Sequence, residues 1–342
     1  MKNFLNTFLL TLLMFALTSP VAAQNTQKLF SQALASYNMN NLEPAISMFK
    51  QVIEQNPNHA EAHFYLASSY VKYKQYKDAV PLFEQAGKLK PTYFEAFIAL
   101  GKTLIMLDRH AEAEDAFEKA VKIKPASSEG FLNLGIAQKS GGDCAAAVES
   151  FNQALKFDPK SSEASLNLGL CYVKSGNSAD ALGILEKAVK LNPKDSIAHC
   201  NLADVYHEAK RKADAVKHFE EAVRLNPKYF EAHYKIGRLH FDSGDYQTSL
   251  PFLENAVRNS VNWLAALNYL GENYLEVKEF DAAIPIFQRV VELDPKNEQA
   301  YYGLGVGYLG FGKPLQARTY HKKLVELRSK LAPKLMAKIK AN

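Results

Sequence analysis

Cysteine is scarce in this chain, with three residues in 342, too few for a disulfide scaffold. Tryptophan occurs once, as Trp263. No block of a single charge sign stands out: 41 Lys and Arg against 36 Asp and Glu leave a formal charge of +5, spread along the chain. Neither nucleic acid nor an anionic membrane surface is implied as a partner. No glycine-rich loop follows a strand pattern, and no Ser, His or carboxylate recurs as a nucleophile with base and orienter, so the common catalytic classes have no signature here. What is present is ordinary globular composition, 47% hydrophobic and 23% charged, which excludes a collagenous or wholly disordered chain.

Long apolar runs are confined to the start. Lys2 is followed by an apolar stretch from Phe4 to Leu17, broken only by Asn6, Thr7 and Thr11, then by the polar bend Thr18-Ser19-Pro20. Val21 and Ala23 supply the small-x-small pattern before Gln24, so residues 1–23 are expected to be a secretory signal cleaved after Ala23. As an uncleaved anchor the stretch is short, since fourteen residues at about 1.5 Å each cover about 21 Å of a hydrocarbon core roughly 30 Å thick. A lipid-modified start needs Cys after the cleavage point, where Gln24 stands. The mature protein is therefore expected to be soluble, in a periplasm or outside the cell.

The rest is ruled in steps of 34. Pro57, Pro91, Pro125, Pro159, Pro193, Pro227 and Pro295 fall on one 34-residue grid, with Val261 as the missing tooth. Counting back gives units starting at 26, 60, 94, 128, 162, 196, 230, 264 and 298. The eighth position of every unit is small (Ala33, Ala67, Gly101, Gly135, Gly169, Ala203, Gly237, Gly271, Gly305), and so is the twentieth. The twenty-fourth is a large apolar residue in most units: Phe49, Phe83, Phe117, Phe151, Leu185, Phe219, Leu253 and Phe287. Small side chains at two places and a filler at a third describe a helical hairpin, helix A against helix B. Asn40, Gly142, Gly176, Gly244 and Gly312 at the fifteenth position end helix A with a residue that tolerates positive φ, and the proline stops helix B.

The spacing Leu66-Ala67-x2-Tyr70-x8-Ala79-x3-Phe83-x2-Ala86-x4-Pro91 resembles the tetratricopeptide repeat, and its frame recurs over residues 26–331. The resemblance implies an all-α fold, an α-solenoid in which helix-turn-helix units stack into a right-handed superhelix lined by the A helices. Residues 332–342, with Leu335, Met336 and Ile339 beside three lysines, resemble a solvating cap helix.

In that family, positions two, five, nine, twelve and thirteen of helix A face the groove. Carried onto this chain, they give an apolar lining in the first five units: Phe30, Leu34, Phe64, Val71, Ile98, Ile105, Met106, Leu132, Ile136, Leu166, Leu170 and Val173. Later units turn polar, with Asp204, His207, Glu208, Tyr234, Arg238, Asp242, Glu272 and Glu276. Position six places Asn133, Asn167 and Asn201 in three successive units, similar to the asparagine ladder in the repeat domain of O-linked N-acetylglucosamine transferases. Such a row can clamp the main chain of an extended peptide. Asparagine is also a common solvated residue of this repeat type, and the sequence does not choose between the two. The carboxylate clamp that holds chaperone tails fits poorly, because no unit carries Asn at position nine.

His199, Cys200 and His207 could be drawn as a metal site, but they are positions four, five and twelve of one helix, and no further phased ligand completes the set. No metal and no cofactor is expected. Cys144 and Cys171 read as core thiols, and Trp263 as packing between repeats. The expected function is a non-catalytic exported scaffold that binds a peptide or partner protein through Asn133, Asn167, Asn201, Leu132, Ile136, Leu166, Leu170, Val173, Asp204, Tyr234 and Arg238. The alternative is an auxiliary subunit of an envelope machine for polysaccharide, pili or secretion, docked through its convex face.

Overall fold

A computed structural model describes residues 20–341, and among the described residues it contains nineteen helices and no strand. The A helices are Pro20–Asn38, Ala60–Lys72, Phe94–Ile105, Ser128–Ser140, Ser162–Lys174, Ser196–Glu208, Phe230–Phe241, Leu264–Glu276 and Glu298–Gly310. All but the first begin on the 34-residue grid. Each is followed by a B helix, from Leu42–Gln55 to Pro314–Glu326, and Ala332–Ala341 closes the chain. The expected export signal lies almost wholly outside the described residues. Within them, Ala23, Gln24 and Asn25 are exposed, and the buried Thr26 donates from its hydroxyl to Gln55 Oε1 at 2.7 Å. No helix among the described residues is long and apolar enough to cross a membrane.

Local chemistry explains the punctuation. Several A helices start on a side-chain cap: the Ser127 and Ser161 hydroxyls accept from the Gly130 and Ala164 amides at 3.0 and 3.2 Å, and Asn297 does the same for Ala300. Every A helix ends on a left-handed fifteenth position, at φ of +58 to +63° where it is Asn40, Lys74, Asp108, Lys210 or Lys278 and higher where it is glycine. At position eight, a Cβ on Gly101 would stand 2.5 Å from the ring of Phe117, so helices A and B meet at a distance only a small residue permits. The six phenylalanines at position twenty-four are at most 2% exposed, each burial contributing roughly 1.5–3 kcal/mol.

A further device joins one repeat to the next. His63, His199 and His233, all at position four, donate from Nε2 to the carbonyls of Pro57, Pro193 and Pro227 at 2.9, 3.2 and 3.0 Å, and Tyr301 donates to Pro295 at 3.1 Å. A carbonyl only accepts, so Nε2 carries the proton in each ring. His199, the residue that tempts as a metal ligand, is thus a clasp on the inter-repeat turn.

By its contacts the chain divides into Met1–Ile184 and Leu185–Asn342, the boundary falling within the helix Ser178–Leu191. In the first unit the aromatic and alanine positions of successive hairpins build the core from Phe30, Phe49 and Leu66 through Phe83, Leu104 and Phe117 to Phe151 and Cys171. In the second unit Tyr234 and Leu253 lead to Phe287, Leu304 and Leu324, and the last helix adds Leu335 and Ile339. Leu335 fills the space that Gly305 leaves open. Ser329, standing where all other repeats but the seventh have proline, is buried; its hydroxyl donates to Glu298 and accepts from the Leu331 amide as the chain enters the last helix. In most of the described array each A helix touches its own B helix, the preceding B helix and the next A helix, so the A helices form one continuous layer within each unit.

Candidate binding face

The face made by the A helices carries the residues singled out from the sequence, and their positions are not equivalent. Position five lies in the seam between successive A helices. Phe30 and Ile98 are buried core residues there and offer no surface to a ligand, because the neighbouring A helix covers them. Cys200 and Tyr234 occupy the same place in the second unit and are equally covered. Leu132 and Ile136 are half-buried against the cluster of Phe151, Leu168 and Cys171, and Leu166, Leu170 and Val173 are half-buried as well. Position twelve is half-buried in the same way, at Val71, Ile105 and Val173, and position thirteen stands clear: Met106 is 61% exposed.

In the first unit a cavity of about 280 Å³ opens on this face, lined among others by Val71, Phe83 and Met106 with Lys72 and Lys102 at its rim. Lys72 lies 3.9 Å above the Tyr37 ring, and Lys102 pairs with Glu129 at 3.0 Å. Lys139 and Lys174 continue the basic series in the next two repeats. The apolar reading of these units overlooked the lysines, although positions nine, twelve and thirteen, where they stand, are in plain view.

Each asparagine of the row turns its amide nitrogen onto its own helix. Asn133 donates to the Glu129 carbonyl at 2.7 Å, Asn167 to Glu163 at 2.9 Å and Asn201 to Ile197 at 2.8 Å. Asn133 and Asn167 are 7% and 9% exposed, and Lys139 donates to the Asn167 side-chain carbonyl, tying two repeats together. One N–H per rung is therefore spent within the helix, and the second has no partner among the described residues.

The second unit is a web of charges and rings. Asp204 meets Lys235 at 2.5 Å, and burial pushes the Asp204 carboxyl above its ordinary range, the Lys235 ammonium opposing. Tyr234 packs on Trp263 with centroids 4.4 Å apart and edge-on to Tyr269, while Arg238 sits 5.8 Å over Tyr234 and reaches Asp242 at 4.0 Å. Asp204, Tyr234 and Arg238 thus share one neighbourhood. The three cysteines are free and buried, burial raising Cys200 to about 11 and Cys171 to about 12, the latter with help from a contact to Cys144. His199 Nδ1 lies 2.9 Å from His218 Nδ1. Since the Pro193 carbonyl claims the His199 Nε2 proton, the neutral pair has His218 donating.

Within each unit 34-residue hairpins stack with their A helices in one layer, and a last helix packs on the ninth repeat. The family model described as tetratricopeptide repeat matches residues 132–196, 172–230, 211–262 and 269–332, together more than half of the chain. The chain belongs to the tetratricopeptide repeat family. A second model, described as anaphase-promoting complex, cyclosome, subunit 3, matches residues 13–86 and 38–120. Among solved structures, Pseudomonas aeruginosa pilF is 20% identical with a TM-score of 0.56, over 60% of this chain and 94% of its own. The C-terminal part of a tetratricopeptide repeat protein from Cytophaga hutchinsonii is 18% identical at 0.54, over 70% and 99%. The Cut9-Hcn1 hetero-tetramer is 14% identical at 0.51, over 92% and 76%. At these identities the likeness concerns the tetratricopeptide fold alone. No curated protein matches the chain.

Proposed function

We propose that this tetratricopeptide repeat protein is an exported, non-catalytic scaffold that holds an extended peptide on the A face of its first unit. The observation that carries the reading is the cavity at Val71 and Met106, apolar within and rimmed by Lys72 and Lys102, on the layer of A helices of the first unit. Exposed apolar surface bordered by polar groups is the usual mark of a protein contact. The half-buried Leu132, Ile136, Leu166, Leu170 and Val173 extend the apolar strip, and in this reading the N–H that Asn133 and Asn167 do not use within their helices bonds the main chain of a ligand lying along it. Export is supported by the apolar start of the chain and by the exposure of Ala23, Gln24 and Asn25 around the expected cleavage point.

A peptide selection on the purified mature protein, repeated with Met106→Glu, tests the binding reading: retained ligands should lose most of their affinity. The alternative, docking of an envelope complex through the B helices, is favoured by a cavity of about 460 Å³ on that side of the first unit, where Lys119 and Lys122 border Phe97 and Ile123. It requires that Lys119→Glu and Lys122→Glu abolish association while Met106→Glu does not. N-terminal sequencing of the protein recovered from the native envelope should begin at Gln24, and an intact Met1 would refute export by cleavage.

A further inference from the structure

The second unit contains a cavity of about 510 Å³ that the sequence reading did not foresee. Its floor is apolar, with the half-buried Leu275, Phe280, Tyr302 and Val306. One wall is the helix Leu264–Glu276, which brings Glu272 and Glu276 to the cavity one turn apart. The facing wall is the last helix, which brings Lys334 and Lys338, again one turn apart, held by the buried Leu335 and Ile339. Lys278, in the turn after the acidic helix, adds a third ammonium at the rim.

The acids and the lysines line one space without satisfying each other. Among the described residues none of these five charges forms an ion pair, and the Glu272 carboxylate has only the Gln299 amide, at 3.0 Å. Burial raises the Glu272 carboxyl above its ordinary value, with the Gln299 hydrogen bond opposing and the nearby Glu276 and Asp242 adding to the rise. A cation placed there would relieve the Glu272 carboxylate, and the exposed ammonium groups of Lys334 and Lys338 have no ion-pair partner among the described residues and can take an anion. The volume suits a short peptide segment, and the apolar floor suits one large side chain of it, rather than a flat surface contact.

We propose that this cavity receives a peptide segment in which one large apolar residue stands between a basic residue, held by Glu272 and Glu276, and an acidic residue, held by Lys334 and Lys338. The proposal rests on the reading of the chain as a peptide-binding scaffold but concerns a different part of it. Both ends of the segment are recognised through side chains, so blocked termini do not matter.

The test uses the whole mature protein and fluorescein-labelled, amidated hexapeptides read by anisotropy: Lys-Phe-Glu and Glu-Phe-Lys cores, the like-charged Lys-Phe-Lys and Glu-Phe-Glu cores, and a Lys-Ala-Glu core. One or both mixed-charge phenylalanine peptides should bind at least about tenfold more tightly than the others, the factor expected from one charge-assisted pair. Lys334→Glu with Lys338→Glu should switch the preference to Lys-Phe-Lys, and Glu272→Lys with Glu276→Lys should switch it to Glu-Phe-Glu. A gain of binding by the matched peptide cannot come from a misfolded variant. Equal binding of all cores, or unchanged preference in both variants, would overturn the proposal. If these peptides fail while ligands sensitive to Met106→Glu still bind, the cavity proposal falls and the scaffold reading stands; if no peptide binds anywhere, both fall.

Discussion

Phe287 makes the most exposed prediction about packing. Its ring is fully buried, and its tip reaches between two A helices, those of the eighth and ninth repeats. A Cβ on Gly271 would stand 2.7 Å from Phe287 Cζ, and a Cβ on Gly303 would stand closer still to the same atom. Carbon atoms pack at about 3.5–4.0 Å. A side chain at 303 therefore drives the ring back by about 1 Å, and Gly271 blocks the retreat. In Gly303→Val the gain in helix propensity is a few tenths of a kcal/mol, against about 1–3 kcal/mol for overpacking, leaving a net loss of about 2 kcal/mol. Phe287→Leu alone should cost about 1 kcal/mol, because Leu253 fills the same place opposite Gly237 in the seventh repeat. Combining the two should recover at least about 1 kcal/mol relative to their sum, since the shorter side chain gives the valine room. Urea unfolding followed by far-ultraviolet circular dichroism reads all four proteins. An unchanged midpoint for Gly303→Val, or strict additivity in the double variant, would refute the wedge.

Three further outcomes follow from single residues. Asn273 is fully buried at position ten with neither its side-chain nitrogen nor its oxygen bonded, whereas Thr103 at that position in the third repeat bonds back to the Ala99 carbonyl at 2.7 Å; Asn273→Thr should raise stability by about 1–2 kcal/mol in the same urea assay, and a loss would contradict the unbonded state. Lys210 sits at φ +60°, so Lys210→Gly should stabilise by roughly 0.5–1 kcal/mol, and a destabilised variant would mean that the left-handed turn is not strained. Burial lowers the His218 imidazole below its ordinary value, with the nearby His199 adding to the effect, so as pH falls through about 6.5 the unfolded chain takes up protons that the folded one resists. Stability should therefore decline from pH 7.5 to pH 5.5, and His218→Gln should flatten that slope; an equal slope in both proteins would exclude the histidine pair as its source.

The frame of the fold was legible because every repeat buries the same positions, so Ala45, Ala79 and Ala113 or Phe49, Phe83 and Phe117 recur by necessity. The turn after helix A was only half legible. Glycine or Asn40 announces it in five repeats, but Lys74, Asp108, Lys210 and Lys278 adopt the same left-handed backbone without a compositional sign. Their strain, about 1–2 kcal/mol each, is offset by closing hydrogen bonds such as Gln75 to Tyr70 at 2.9 Å and Arg211 to Tyr206 at 2.8 Å, which any residue can make. Position five illustrates the opposite failure. A helical wheel puts Phe30, Ile98 and Tyr234 on the A face, yet the next helix covers them, and which of two adjacent positions lies in a seam depends on helix separation rather than on residue type. The histidines at position four did carry a signal, since His63, His199, His233 and Tyr301 recur where a donor can reach the preceding proline carbonyl.

The asparagines separate what a residue type can promise from what its surroundings leave over. Read as a type, Asn133, Asn167 and Asn201 each offer a carbonyl and two N–H donors to a peptide backbone. In place, one donor of each is used on the carbonyl four residues back, and at Asn167 the oxygen is taken by Lys139. The capacity left at Asn167 is one N–H, so a peptide there gains a single hydrogen bond, and Asn167→Ala should weaken binding by about 1 kcal/mol, roughly fivefold. Lys139→Ala should do the reverse, freeing the oxygen for a second bond and tightening the same peptide. Loss in both variants would mean that lysine and asparagine act on the ligand together, and no change in either would take the asparagines out of the binding face and leave the apolar strip to do the holding.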